Sequence, residues 1–89
     1  MKAIVTVIGK DQVGITAAVC SLLAQHNINI LDISQTILQN YFTMVMLVDL
    51  TGMKASYKEM TDVLNRTAEA IGVEIRMQRS EIFDAMHRA

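Results

Sequence analysis

Gly9-Lys10-Asp11-Gln12-Val13-Gly14-Ile15 is where an apolar strand pattern stops and a helical one begins. Before it, Lys2 to Ile8 reads Lys-Ala-Ile-Val-Thr-Val-Ile. That run is β-branched and nearly continuous, as in a central strand covered on both faces. After it, Ile15, Ala18, Val19, Leu22 and Leu23 fall at i, i+3, i+4, i+7 and i+8, one stripe of a helix. Glycines at 9 and 14 let the backbone take a positive φ, or pass close to a group that a Cβ would meet. The free N–H groups of the first helical turn gather here, where the helix dipole favours an anion. A carboxylate held by backbone alone fits this arrangement. So does a plain strand-to-helix turn, and the loop by itself does not separate the two.

The rest of the chain follows the same logic. His26-Asn27 ends the first helix, with Asn27 suited to a left-handed cap. A second strand is expected from Ile28 to about Leu38, with Ile28 and Ile30 on one face and Leu31 and Ile33 on the other. It is longer than a usual strand, so a bulge or bend is expected near Asp32. Gln39-Asn40 is the reversal, with Asn40 able to take the left-handed conformation. From Tyr41 to Leu50, Phe42, Met44, Met46, Val48 and Leu50 share one face; Thr43, Val45, Leu47 and Asp49 share the other. Ser56 and Glu59 form a capping box. Tyr57, Met60, Val63, Leu64, Thr67, Ala68 and Ile71 make the second helical stripe, and Gly72 ends it. Val73, Ile75 and Met77 alternate with Glu74, Arg76 and Gln78 in a last strand. Ser80 then opens a short final helix with an apolar patch of Ile82, Phe83 and Met86.

The order β-α-β-β-α-β predicts an α+β, ferredoxin-like fold: a four-stranded antiparallel sheet, two helices on one face, and a short C-terminal helix. The 89 residues are expected to form one domain. Hydrophobic residues make up 52% of the chain, more than so small an interior absorbs. The first and third strands are apolar on both faces, while the helices cover only one. The surplus implies a homo-oligomer, most simply a two-fold dimer.

Chemistry is sparse. The net charge of −1 is not that of a dedicated nucleic-acid binder. One cysteine, Cys20, offers no disulfide framework and fits a reducing setting; inside a helix it reads as a small apolar residue. No apolar run is long enough to cross a membrane, and no leader is evident, so the expectation is a cytoplasmic chain. His26 and His87 have no neighbouring partner in sequence. No catalytic residue, metal site or cofactor is expected. Asp11 reads as a cap of the first helix or as a contact for a ligand ammonium group, and Asp32 as a turn residue.

The loop Gly9 to Ile15, Leu22-Leu23-Ala24, and Asn27-Ile28-Asn29-Ile30-Leu31-Asp32-Ile33-Ser34-Gln35 together resemble the ACT domain family over almost the whole chain. Within it they are similar to the small stand-alone members, akin to the glycine-cleavage transcriptional repressor. The resemblance implies a regulatory, non-catalytic module whose subunits pair side by side or face to face. Where a ligand binds, it implies an amino acid at the interface. It assigns the ligand contacts to Asp11, Gln12, Val13, Gly14 and Ile15 of one subunit and to Asn27, Ile28 and Asn29 of the other. Gln12 and Val13 stand where the family's loop often carries Arg-Pro, which removes a charged contact and loosens the loop. The function expected is thus a homodimeric module that binds a small amino acid and signals to a partner in trans. The alternative is a ligand-free module that docks a metabolic enzyme or regulator, with Ile82, Phe83 and Met86 as the docking patch.

Overall fold

The computed structural model describes residues 1–10 and 12–79. Its elements are β1 (Lys2–Lys10), α1 (Ile15–Gln25), β2 (Asn29–Leu38), β3 (Tyr41–Asp49), α2 (Tyr57–Ile71) and β4 (Val73–Arg79). The strands form one sheet in the order β2-β3-β1-β4, with every neighbouring pair antiparallel. This is the ferredoxin-like βαββαβ arrangement. The final helix expected from Ser80, and its patch of Ile82, Phe83 and Met86, lie outside the described residues.

The two helical stripes and one sheet face make a single core. Ile15, Val19 and Leu23 of α1 and Met60, Leu64 and Ala68 of α2 are buried. They cluster with Ala3, Val5 and Val7 of β1, with Phe42, Met44, Met46 and Val48 of β3, and with Ile75 and Met77 of β4. No tryptophan is available to fill the space. Flexible thioethers at Met44, Met46 and Met60 do so and are fully buried.

The ends of the elements explain their lengths. Asn27 takes a left-handed φ of 58°. Its N–H donates to the Ala24 carbonyl at 3.0 Å, and that of Ile28 to the Leu23 carbonyl at 3.0 Å. This paired closure satisfies α1's last carbonyls and buries Ile28 beside Leu23. At α2, Ser56 and Glu59 form the expected reciprocal capping box, and Gly72 closes the helix at φ 74°. β4 lies so close to β1 that a Cβ on Gly9 would stand 2.7 Å from Cγ1 of Val73.

Two expectations are corrected. The bulge falls where the sequence places it, between Ile30 and Asp32, but the extra residue reverses the alternation. Ile33 pairs with Met46 and therefore lies on the helix side, the same side as Ile30 opposite Val48. At the β2–β3 reversal the left-handed residue is Gln39, at φ 57°, rather than Asn40.

The sheet's other face carries no described helix. Even-numbered residues of β1 and odd-numbered residues of β3 point there: Lys2 pairs with Asp49, Ile4 with Leu47, Thr6 with Val45, Ile8 with Thr43 and Lys10 with Tyr41. Ile8 is 46% exposed, Val45 36% and Tyr41 56%, whereas Ile4 is 9% exposed.

Gly9→Ala should lower stability by about 1–3 kcal/mol through overpacking against Val73, measured as a fall in thermal midpoint. Gly9→Ala/Val73→Ala should recover part of that loss. The capping box also has a pH signature. Hydrogen bonds from the Ser56 backbone and hydroxyl sides hold the Glu59 carboxyl below its ordinary value. Its stabilisation is therefore present above the ordinary glutamate range and lost as pH falls through the lowered value. Glu59→Gln should flatten that part of an acid-unfolding profile.

Candidate functional site

Among its described residues, the loop after β1 is tied down at Gln12 and exposed at Val13. Gln12 Nε2 donates to the carbonyl of Ile71 at 2.7 Å, which ties the loop to the last turn of α2. Ile71 is the last residue of α2, where a carbonyl has no intrahelical donor. Val13 follows, fully exposed at 105%. Gly14 then turns into α1 at φ 90° and ψ 0°. Its carbonyl accepts from the Ala18 N–H at 2.9 Å, closing the first turn. Ile15 drops its side chain into the core.

Gly14 can offer no side-chain acceptor, and the first turn of α1 carries no acidic residue. Among the described residues, the leading amides of α1 therefore meet no capping side chain. They lie next to the exposed Val13, at the positive end of the helix dipole. Thr16, on the same turn, places its hydroxyl 3.5 Å from Oε1 of Gln35 on β2. Asp11 lies outside the described residues.

The second group of expected contacts sits elsewhere. Asn27 and Asn29 are exposed, and Ile28 is buried. Asn27 follows His26, the C-cap of α1, and Asn29 opens β2 opposite Asp49. Backbone carbonyls and amide side chains of this kind suit an ammonium group. Yet α1 has 11 residues, so the two groups stand about 16 Å apart at its opposite ends. One chain does not bring them together.

Gln12 stays exposed while its amide nitrogen holds the Ile71 carbonyl, and Ile28 is a core residue. Gln35 is the residue the sequence missed. Its placement on the helix side follows from the bulge, which no local pattern locates to the residue.

The remaining polar groups are structural. Burial pushes the Cys20 thiol above its ordinary value. Burial likewise raises the Tyr57 hydroxyl, which donates to the Met77 carbonyl at 2.9 Å while Arg79 lies over the ring, 5.1 Å from its centroid. The Thr51 hydroxyl and N–H hold the Asp49 carboxyl below its ordinary value. Among the described residues there is no group of three His, Cys, Asp or Glu side chains arranged for a metal. No described helix is long and apolar enough to cross a membrane. A groove of about 210 Å³ between α2 and β4, lined by Thr61, Leu64, Asn65 and Met77 among others, lies apart from both groups.

With this geometry in view, comparison with known proteins assigns the class. The sequence matches the ACT domain family over residues 2–78. It is 53% identical over 87 residues to a UPF0237 protein of Bifidobacterium longum, covering 98% of this chain and 97% of that one. An ACT domain protein from Streptococcus pneumoniae superimposes with a TM-score of 0.83 at 40% identity, covering 98% of both chains. A putative glycine cleavage system transcriptional repressor gives a TM-score of 0.72 at 25% identity, covering 88% of this chain and 44% of that one. The chain belongs to the ACT domain family, whose fold typically serves as a regulatory ligand-binding module.

Gly14→Ala meets no atom within 4 Å, so its cost should be backbone strain alone. At φ 90° that strain should amount to about 1–2 kcal/mol of lost stability by chemical denaturation. Gln12→Ala should speed amide hydrogen exchange in the loop and the last turn of α2 without shifting the core. Equal exchange in both proteins would show that the strut bears nothing.

Proposed function

We propose that this protein is a non-catalytic regulatory module that binds a small amino acid between two copies of itself and signals to a partner in trans. The observation that carries this reading is the start of α1 behind the exposed Val13 and Gly14, which no described side chain caps. A ligand carboxylate placed there meets backbone amides and the helix dipole. The ammonium group is taken by Asn27 and Asn29 from the other copy. An antiparallel two-fold contact along β2 sets the top of one copy against the bottom of the next, which removes the separation along α1.

β2 suits that contact. It is an outer strand of the sheet, ten residues long and exposed except at the half-buried Ile30. It bears a single charge, Asp32, and none of the lysines or prolines that shield a free edge. The loop supplies Gly14, Val13 and the amides near Ile15 to the ligand. Gln12 holds the loop in place. Membership of the ACT family supports the regulatory half of the reading.

The test has two parts. A thermal-shift screen of the twenty amino acids should find one or more that stabilise the protein. A ligand at about 100 times its Kd adds roughly 2.7 kcal/mol. Silence from all twenty at millimolar concentration overturns the reading. For the best ligand, Val13→Glu, which sets a like charge beside the carboxylate, and Asn29→Ala should each abolish binding alone. Mixed in equal amounts, the two should regain binding, because a mixed pair holds one intact site. Failure of the mixture to recover would place both residues in one copy's site, or in none.

A further inference from the structure

We infer that residues 80–89 of this chain cover the sheet face opposite the helices, as an amphipathic helix that crosses from the end of β4 over β1 and β3 to β2. The inference stands apart from amino-acid binding. It uses none of the residues of that site, and it leaves the outer edge of β2 free to pair.

The face is apolar in its middle. Ile4 and Ile8 of β1 lie beside Leu47 and Val45 of β3, with Thr6 and Thr43 between them. A hollow of about 160 Å³ opens there, lined by Ile4, Val45 and Leu47 with Asp32 and Ser34 of β2 among others. Its walls are mainly hydrocarbon. The groove between α2 and β4, by contrast, is edged by Thr61, Asn65, Arg76 and Gln78. An apolar stripe is therefore better matched to the hollow than to the groove.

The segment that follows β4 carries such a stripe. At 100° per residue, Ile82, Phe83, Ala85, Met86 and Ala89 fall on one side of a helix, and Glu81, Asp84, His87 and Arg88 on the other. A helix of ten residues is marginal in water, so its order depends on burying that side. Because the segment is joined directly to β4, it docks without the cost of bringing in a second molecule. Docked this way, Ile82, Phe83 and Met86 are turned away from any partner protein.

Its length and starting point fix where it lands. Arg79 pairs with Ala3, one row from Ile4. The row Gln78, Ile4, Leu47 and Asp32 runs straight across the sheet from β4 to β2. With strands about 4.8 Å apart that row is about 14 Å long, and ten helical residues span about 15 Å. Counted from Arg79, Ile82 and Phe83 reach β1 after about 5 Å, Met86 reaches β3 and the hollow after about 10 Å, and Arg88 reaches β2 after about 14 Å. The flexible thioether of Met86 suits an irregular hollow. The charges fall in the same order. The acids Glu81 and Asp84 come first, towards Lys2 of β1 and Arg76 of β4, and Arg88 comes last, at Asp32. Asp32 accepts the Ile33 N–H at 2.9 Å and forms no ion pair among the described residues.

Thiol labelling of the full chain, without added amino acid, tests this. In a Val45→Cys variant that also carries Cys20→Ala, position 45 should label slowly, at a rate that does not change with protein concentration. Adding Met86→Asp should speed labelling about tenfold or more, because the segment then opens. Asp32→Arg should speed it too, and Asp32→Arg/Arg88→Asp should restore the slow rate. Labelling of position 45 as fast as a free thiol overturns the inference, and so does slow labelling that is indifferent to Met86→Asp. Slow labelling only at high protein concentration overturns it and assigns the cover to a second copy. Should Val45→Cys fail to fold, the unaltered chain decides. Nuclear Overhauser contacts between the Met86 methyl and the methyls of Val45 and Leu47 are expected, and their absence overturns the inference. No amino acid is present in these measurements, so failure here is distinct from failure of the ligand reading.

Discussion

Everything in this molecule depends on two helical stripes packing onto one face of a four-stranded sheet. The stripes are narrow: three fully enclosed residues from α1 and three from α2. They meet the inward residues of β1 and β3, the two central strands, whose side chains reach neighbours on both sides. In a chain of 89 residues this is nearly all the interior available. The thioethers of Met44, Met46 and Met60 fill it without a large aromatic to dictate shape. Exact positioning is left to the ends of the elements. The turn at Asn27, the capping box at Ser56 and the close approach at Gly9 fix where each helix and strand begins and stops.

That division explains what could be read from the sequence. Periods of 3.6 and 2 placed all six described elements, because burial on one face enforces them. Caps were legible where a short side chain or glycine has one physical use, as at Ser56, Asn27 and Gly72. The orientation of Ile33 was not legible. A bulge can be anticipated from the excess length of β2, but one residue's difference in its position exchanges the two faces. The left-handed residue at the reversal, Gln39, escapes the sequence for a similar reason. Propensity favours asparagine in the left-handed region, yet the register of β2 on β3 decides which residue must occupy it.

The candidate site was legible as chemistry and not as geometry. Two glycines ahead of a helix announce free amides, and among the described residues no side chain caps the first turn of α1. The strut from Gln12 to Ile71 spans 59 positions, and no local pattern carries such a bond. The same holds for the contact between Thr16 and Gln35. Both depend on tertiary neighbours, and both engage exposed side chains for which the local sequence names no partner.

The length of α1 has one more consequence. If the two halves of a ligand site lie on different copies because a helix separates them, occupancy is set by two concentrations at once. The free ligand is one and the protein itself is the other. At low abundance such a molecule would be deaf to its signal, and as it accumulates its apparent sensitivity would sharpen without any change in sequence. The amount of the receptor then becomes part of what is sensed.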